Sequence, residues 1–235
     1  MRMLSAAGLL LNLWLTGCGA LPSPPLAQAT PLPTPVVVPL PALLGELPRW
    51  SGQQLELIAL LVVRDGTRVL ARGADPSPAA AVWLAEPPPA AIATAARAGP
   101  VLVRAAGRLS PAGAYGTGQR YPYQFAATRL ELLHPERTTL ANLALNPQAL
   151  DRLPLRVEGV LLARPGEALL VDRVSPAGVP TSDAQQIKLA PLVPDEALMA
   201  RLTRAGDVVW GAVVVEGWWQ AGVLTPLRIS ARGAP

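Results

Sequence analysis

Residues 155–163 read LRVEGVLLA, and residues 54–63 read QLELIALLVV. In the first stretch, apolar residues alternate with other residues, which is typical of a strand with one buried face. The second stretch is a nearly continuous apolar run of strand length. Each ends in a turn signal, Arg164-Pro165-Gly166 or Arg64-Asp65-Gly66, and a second strand-like run follows each turn. These two hairpins predict a mainly β protein.

The same order of elements occurs around both hairpins: three strands, one helix and two further strands. This order resembles that of OB-folds, which are small five-stranded Greek-key barrels. The resemblance covers most of residues 50–231 and depends on element order alone, so an SH3-like barrel and a β-sandwich stay open as alternatives. It implies two tandem five-stranded OB-like barrels, each with a helix between strands three and four. The predicted strands are 54–63, 67–71, 81–84, 101–109 and 121–133, then 155–163, 167–174, 186–189, 207–219 and 223–231, with helices at 88–98 and 194–204.

Short matching segments indicate that the two halves are copies of one domain. A repeat period of about 105 residues is that of a duplicated domain, although chance matches in an Arg-, Ala- and Gly-rich chain are the alternative. We place the domains at 49–134 and 154–235, with a linker at 135–153. The matched segments are Leu84-Ala85 with Leu189-Ala190, Arg97-Ala98-Gly99 with Arg204-Ala205-Gly206, and Thr128-Arg129-Leu130 with Leu227-Arg228-Ile229.

The N-terminus has the features of a secretory signal. Met1-Arg2 is positively charged, and residues 3–15 are uncharged and mostly apolar. This run is shorter than the ~20 apolar residues that a membrane-spanning helix needs, but it fits the apolar region of a signal peptide. It ends in Leu15-Thr16-Gly17-Cys18, which holds the only cysteine of the chain. These four residues match the lipobox of bacterial lipoproteins, so the N-terminus resembles a lipoprotein signal peptide.

That resemblance implies that residues 1–17 are removed by cleavage between Gly17 and Cys18. It also implies that Cys18 is diacylated on sulfur and holds the mature chain on the extracytoplasmic surface of a membrane. Gly19 follows the cysteine, as in lipoproteins sent to an outer membrane. An ordinary cleaved signal peptide with an incidental thiol, or a cytosolic apolar helix, are the alternatives.

Residues 18–48 form a predicted tether. Proline fixes φ and lacks the N–H donor that helices and sheets need, so the stretch favours an extended or disordered spacer. A Pro-rich ligand for an aromatic groove of a partner is the alternative. The prolines up to residue 41 are at 22, 24, 25, 31, 33, 35, 39 and 41.

The remaining residues favour a protein that is not an enzyme and has no cofactor or metal. Apart from Cys18 there is no thiol, His134 is the only histidine, and no G-x-S-x-G motif occurs. The net charge of +4 comes from scattered arginines and a single lysine, which is weak support for nucleic-acid binding. Five of the sixteen acidic residues lie at predicted turns and helix ends, where capping explains them; they are Asp172, Asp183, Asp195, Glu196 and Asp207.

OB-folds bind their ligands on the face of strands two and three. On the predicted strands, that face offers Arg68, Arg72 and Trp83 in the first domain and Arg173 and Lys188 in the second. Stacking of single-stranded nucleic acid needs aromatic residues there, and most of the tryptophans lie elsewhere, where packing at a barrel end or between domains explains them. The sequence therefore favours a lipid-anchored envelope protein that binds or assembles with an unidentified envelope partner. The alternative is a cell-surface binder of single-stranded nucleic acid or oligosaccharide.

Overall fold

Strands are the dominant element in the part of the chain that the structure describes. The computed structural model describes residues 36–74, 76–191 and 196–232, in which the strands form one six-stranded and one seven-stranded sheet. The predicted mainly β class is confirmed. The predicted signal peptide, Cys18 and the predicted tether as far as residue 35 lie outside the described residues. None of the helices in the described ranges has the length and apolar character needed to span a bilayer.

The first half of the fold, residues 36–133, contains the six-stranded sheet. Its strands are β1 (Val36–Pro39), β2 (Gln54–Arg64), β3 (Thr67–Ala71), β4 (Ala81–Leu84), β5 (Val101–Leu109) and β6 (Gln124–Leu132). Its α-helices are α1 (Leu40–Leu43), α2 (Leu47–Trp50) and α3 (Ala90–Ala98).

The second half, residues 136–232, contains the seven-stranded sheet. Its strands are β7 (Glu136–Thr138), β8 (Leu153–Arg164), β9 (Glu167–Val171), β10 (Gln186–Leu189), β11 (Thr203–Ala205), β12 (Val208–Gln220) and β13 (Val223–Ala231). Its helices are α4 (Leu140–Leu145) and α5 (Glu196–Met199).

Strand neighbours follow the same circular order in both halves. In the first half the order is β2-β3-β4-β6-β5, and β5 pairs with β2 again. In the second half it is β8-β9-β10-β13-β12, and β12 pairs with β8 again. The β4–β6 and β10–β13 pairs are parallel, and the other pairs in the two circuits are antiparallel.

The two predicted hairpin turns are confirmed. Asp65 and Gly66 have φ of 50° and 75°, which is the left-handed pair that suits the twist of a two-residue hairpin. In the second half Gly166 has a φ of 80°, and Arg164 pairs with Glu167 across the turn. The local signals therefore set the register of both hairpins.

Each half begins with a short strand and a helix, in residues that the sequence predicts to be tether or linker. β1 runs parallel to β2, and β7 runs parallel to β8. Leu40 and Leu43 are fully buried, as Leu140 and Leu143 nearly are. The folded part therefore begins before the predicted tether boundary at residue 48, and most of the predicted linker 135–153 belongs to the second half. Pro41 does not prevent α1, because it lies in the first turn of the helix.

The predicted helix at 194–204 is largely wrong. Residues 194 and 195 lie outside the described residues, and α5 ends at Met199. Residues 203–205 instead form β11, which is antiparallel to β12. Gly206 has a φ of 57° and lies in the turn between these strands, so it does not cap a helix as Gly99 does in the first half.

The described residues contain four apolar clusters. Two lie within the first half and one lies within the second half. The fourth contains residues of both halves, so the halves share buried apolar surface. Its buried members are Ile58, Leu60, Leu102, Trp218 and Leu227.

Candidate functional site

Arg68 and Trp83, two of the predicted ligand contacts, lie together in the first half. The guanidinium carbon of Arg68 is 5.0 Å from the centroid of the Trp83 ring, a distance at which a cation interacts with the π system. Arg68 also donates hydrogen bonds to the carbonyls of Leu84 and Ala85, at 2.9 and 2.6 Å. Trp83 is only 6% exposed, so both side chains are engaged within the protein.

Residues 110–123 cover this surface, which we call the first face and define by Val62, Val69 and Trp83. The Tyr121 ring centroid lies 5.5 Å from that of Trp83, and the Tyr121 hydroxyl donates to the carbonyl of Pro76 at 2.8 Å. A Cβ on Gly116 would lie 2.5 Å from the Trp83 ring, so the covering backbone lies directly on the indole. The first face is therefore occupied by the chain itself.

The corresponding surface of the second half, the second face, is more open. It is a row across four strands, because Trp210 pairs with Leu162, Leu162 with Leu169, and Leu169 with Lys188. Lys188 is exposed, and the other three side chains are half-buried. The strands β12 and β13 are joined by two residues, Ala221 and Gly222, so this half has no counterpart to residues 110–123.

Residues 172–185 border the second face. Gly178 has a φ of 75°, and a Cβ there would lie 2.5 Å from the Trp210 ring, so this loop packs on one side of the indole. The Asp172 carboxylate accepts a hydrogen bond from the backbone N–H of Gln185 at 2.9 Å. That contact joins the two ends of the loop.

Arg173, a predicted ligand contact, is held in ion pairs within this loop. It lies 3.0 Å from the Asp183 carboxylate and 3.6 Å from that of Asp172. The hydrogen bond from the Thr181 hydroxyl, the backbone and the charge of Arg173 together hold the pKa of Asp183 below its ordinary value. Asp183 therefore stays ionised at neutral pH, and Arg173 is less available to a ligand than Lys188 is.

The remaining predicted residues do not converge on one site. Arg72 is half-buried at the end of β3, and its backbone N–H donates to the carbonyl of Ala80. Trp218 is fully buried in the cluster shared by the two halves, and Trp219 lies in the core of the second half. The packing interpretation of these two tryptophans agrees with their burial. His134 is exposed between the halves.

Leu162, Leu169 and Trp210 are not among the ligand contacts predicted from the sequence. The alternation in residues 155–163 contained the signal for Leu162, because it places that residue on the side opposite the buried Leu161. Trp210 had no such signal, since its position depends on the pairing of β12 with β8. Within the described ranges, no group of three or more His, Cys, Asp or Glu side chains is arranged to hold a metal ion.

The comparison with known proteins yields no family model, curated protein or solved structure that matches this chain. The geometry of the two faces is therefore the basis for a functional proposal.

Proposed function

We propose that this protein is a lipid-anchored, non-enzymatic module of the bacterial envelope that binds or assembles with a partner. Residues 15–18 support the anchor, through their match to the lipobox and their position after an apolar run. Two tandem OB-like barrels are supported by the circular pairing of five strands in each half, in which the third and fifth strands are parallel.

The observation that carries the binding function is the difference between the two faces. In the first half, Val69 is fully buried and Val62 is 5% exposed beneath residues 110–123. In the second half the corresponding Leu169 and Leu162 are half-buried. Half-exposed apolar residues in a row, rimmed by polar groups, are typical of interaction sites.

The first face indicates what the second face binds. Residues 110–123 are an irregular segment with three tyrosines, and two of them, Tyr115 and Tyr121, pair through their backbones. Tyrosine combines a large apolar ring with a polar tip, which suits a partly wet surface. We propose that an irregular, tyrosine-bearing segment of a partner protein occupies the second face. An acidic residue in that segment would pair with Lys188.

The alternative ligand is single-stranded nucleic acid or an oligosaccharide. Trp210 would supply a ring for stacking, and Lys188 would supply a cation for phosphate. This alternative is weaker, because Gly178 already covers one side of the Trp210 ring and Arg173 is paired with carboxylates.

NMR titration of the mature chain, residues 18–235 with Cys18→Ser, tests the second face. The probe is a peptide of residues 110–123 carrying Arg120→Glu, so that it bears tyrosines and an acid. We expect saturable shifts of the Trp210 indole N–H that Leu169→Glu abolishes. Leu145→Glu is the control, because Leu145 is 79% exposed on α4, and it should leave the shifts unchanged.

Oligothymidine and an oligosaccharide array form the second arm of that titration. If the peptide gives no shift at Trp210, the protein-segment proposal fails. Salt-sensitive binding of oligothymidine that Lys188→Glu removes would instead establish the nucleic-acid alternative.

Replacement of Cys18 tests the anchor independently of the ligand. Cys18→Ala removes the sulfur that would carry the lipid, so we expect the chain to keep residues 1–17 and to lose its acylated, processed form. The measurement is the size of the protein and its incorporation of labelled fatty acid in a bacterial host. Unchanged size and labelling in the variant would contradict the proposal.

A further inference from the structure

The two halves contact each other through different surfaces. The second half contributes Trp218 and Leu227, which we call the Trp surface. The first half contributes the receiving surface, which consists of Val37, Ile58, Leu60, Leu102 and Leu133. In addition, the Arg104 guanidinium carbon lies 5.7 Å from the centroid of the Trp218 ring, and Arg228 donates to the carbonyl of Pro100.

Among the described residues, this head-to-tail contact leaves one surface of each type unused, one on each half. A heterologous contact of this kind can add further copies until the array closes. The strand register identifies both unused surfaces. Trp218 pairs with Pro154 and Thr225, and its counterpart Arg108 pairs with Gln54 and Ala126 in the first half.

Leu227 and Thr128 also correspond. At the bulge Leu227 is the residue of β13 with no paired residue in β12, and Thr128 is the residue of β6 with no paired residue in β5. Arg108 and Thr128 are both exposed. The unused Trp surface on the first half is therefore polar, with a cation in place of the indole.

The unused receiving surface on the second half is charged. Register matching gives the counterpart of each residue of the receiving surface: Arg137 for Val37, Glu158 for Ile58, Val160 for Leu60, Ala212 for Leu102 and Arg232 for Leu133. The last match holds because the N–H groups of Leu133 and Arg232 donate to the carbonyls of Leu102 and Ala212 respectively. Arg232 and Glu158 lie 3.4 Å apart in an ion pair.

A cleft of about 340 Å³ lies at this charged surface, with Arg137 and Glu158 in its lining. On the receiving surface the corresponding positions are the apolar Val37 and Ile58. The second half therefore has charged residues at the positions where the first half has the apolar residues that contact the second half.

We infer that the chain is a head-to-tail array of two units. The charged residues on its two unused surfaces prevent the addition of further copies. Covering Arg108, or the Arg232–Glu158 pair, with the apolar surface of another copy would remove charges from water without giving them new partners. Terminal repeats of repeat proteins have polar outer faces for the same reason. The inference concerns assembly of the chain with itself, and it needs neither the lipid anchor nor a ligand.

Sedimentation velocity of residues 18–235 carrying Cys18→Ser tests this inference. One variant receives Arg108→Trp and Thr128→Leu, which build a Trp surface on its first half. A second variant receives Arg137→Val, Glu158→Ile and Arg232→Leu, which build a receiving surface on its second half. Circular dichroism melts check that both variants fold.

We expect the unchanged protein and each variant alone to sediment as monomers, because a heterologous contact needs both surfaces. A 1:1 mixture of the two variants should sediment at twice the monomer mass, and a chain with all five changes should form longer arrays. The inference fails if the folded variants stay monomeric when mixed. It also fails if the unchanged protein associates and Ile58→Glu or Trp218→Arg abolishes that association.

Discussion

Two glycines, Gly107 and Gly217, lie at corresponding bulges of the two sheets. The register shifts between Ala106 and Gly107 against β6, and between Glu216 and Gly217 against β13. A Cβ on either glycine would overlap a backbone carbonyl oxygen of the neighbouring strand, that of Ala126 or of Thr225. The close approach of the two strands therefore requires glycine at both positions.

We expect Gly217→Ala to lower the free energy of unfolding by about 1–3 kcal/mol, the usual cost of forcing extra atoms into a packed site. Gly45→Ala is the control, because a Cβ there meets nothing within 4 Å. Urea unfolding followed by circular dichroism measures both. Equal stability of the two variants would contradict the close approach at the bulge.

Among the elements, the sequence did not predict the strand and helix that precede each circuit of strands, which are β1 and α1 in the first half and β7 and α4 in the second. β1 pairs with the first part of β2, at residues 55–58, and β3 pairs with the last part, at residues 60–64. β7 and β9 divide β8 in the same way. In each half the short strand thus pairs with the part of the long strand that the next strand of the hairpin does not reach.

The helix that follows β1 packs in the core, so a single truncation in it should be costly. We expect Leu43→Ala to lower the free energy of unfolding by about 2–5 kcal/mol, as for other fully buried leucines. Leu145→Ala, in the corresponding α4 but 79% exposed, should change it by less than about 0.5 kcal/mol. If both variants unfold at the same urea concentration, α1 is not part of the core.

At the scale of the whole molecule, the shared cluster around Trp218 joins the two halves into one compact unit. Glu216 adds a polar contact beside it, with Arg156 at 2.8 Å and Arg228 at 3.2 Å. Since Arg228 also donates to the carbonyl of Pro100, this ion-pair network reaches the first half. The halves are therefore coupled by both apolar and polar contacts.

We expect the chain to unfold in one cooperative transition and Trp218→Ala to separate the transitions of the two halves. Removal of a fully buried tryptophan costs about 3–5 kcal/mol. The matched control is Arg108→Ala, because Arg108 is the exposed counterpart of Trp218 in the first half. Differential scanning calorimetry measures the transitions, and a single unshifted peak for Trp218→Ala would contradict the coupling.

Much of the β-sheet could be predicted from local sequence. The period-two alternation of residues 155–163 and the glycine turns at 66 and 166 act over a few residues, so they appear directly in the sequence. The predicted helix at 194–204 extended too far, because Gly206 suits a hairpin turn and a helix cap equally well, and only the pairing of β11 with β12 distinguishes them.

The sequence by itself determined the β class, both hairpins and the approximate positions of the five strands in each circuit, because these depend on short-range periodicity and turn chemistry. The tertiary structure decided that residues 36–50 fold, that Trp83 is covered and that Leu162, Leu169 and Trp210 form a row. These features depend on contacts between residues far apart in the chain. The physical reason is that burial is a property of the assembled surface, so the same apolar side chain is core or binding face according to what packs on it.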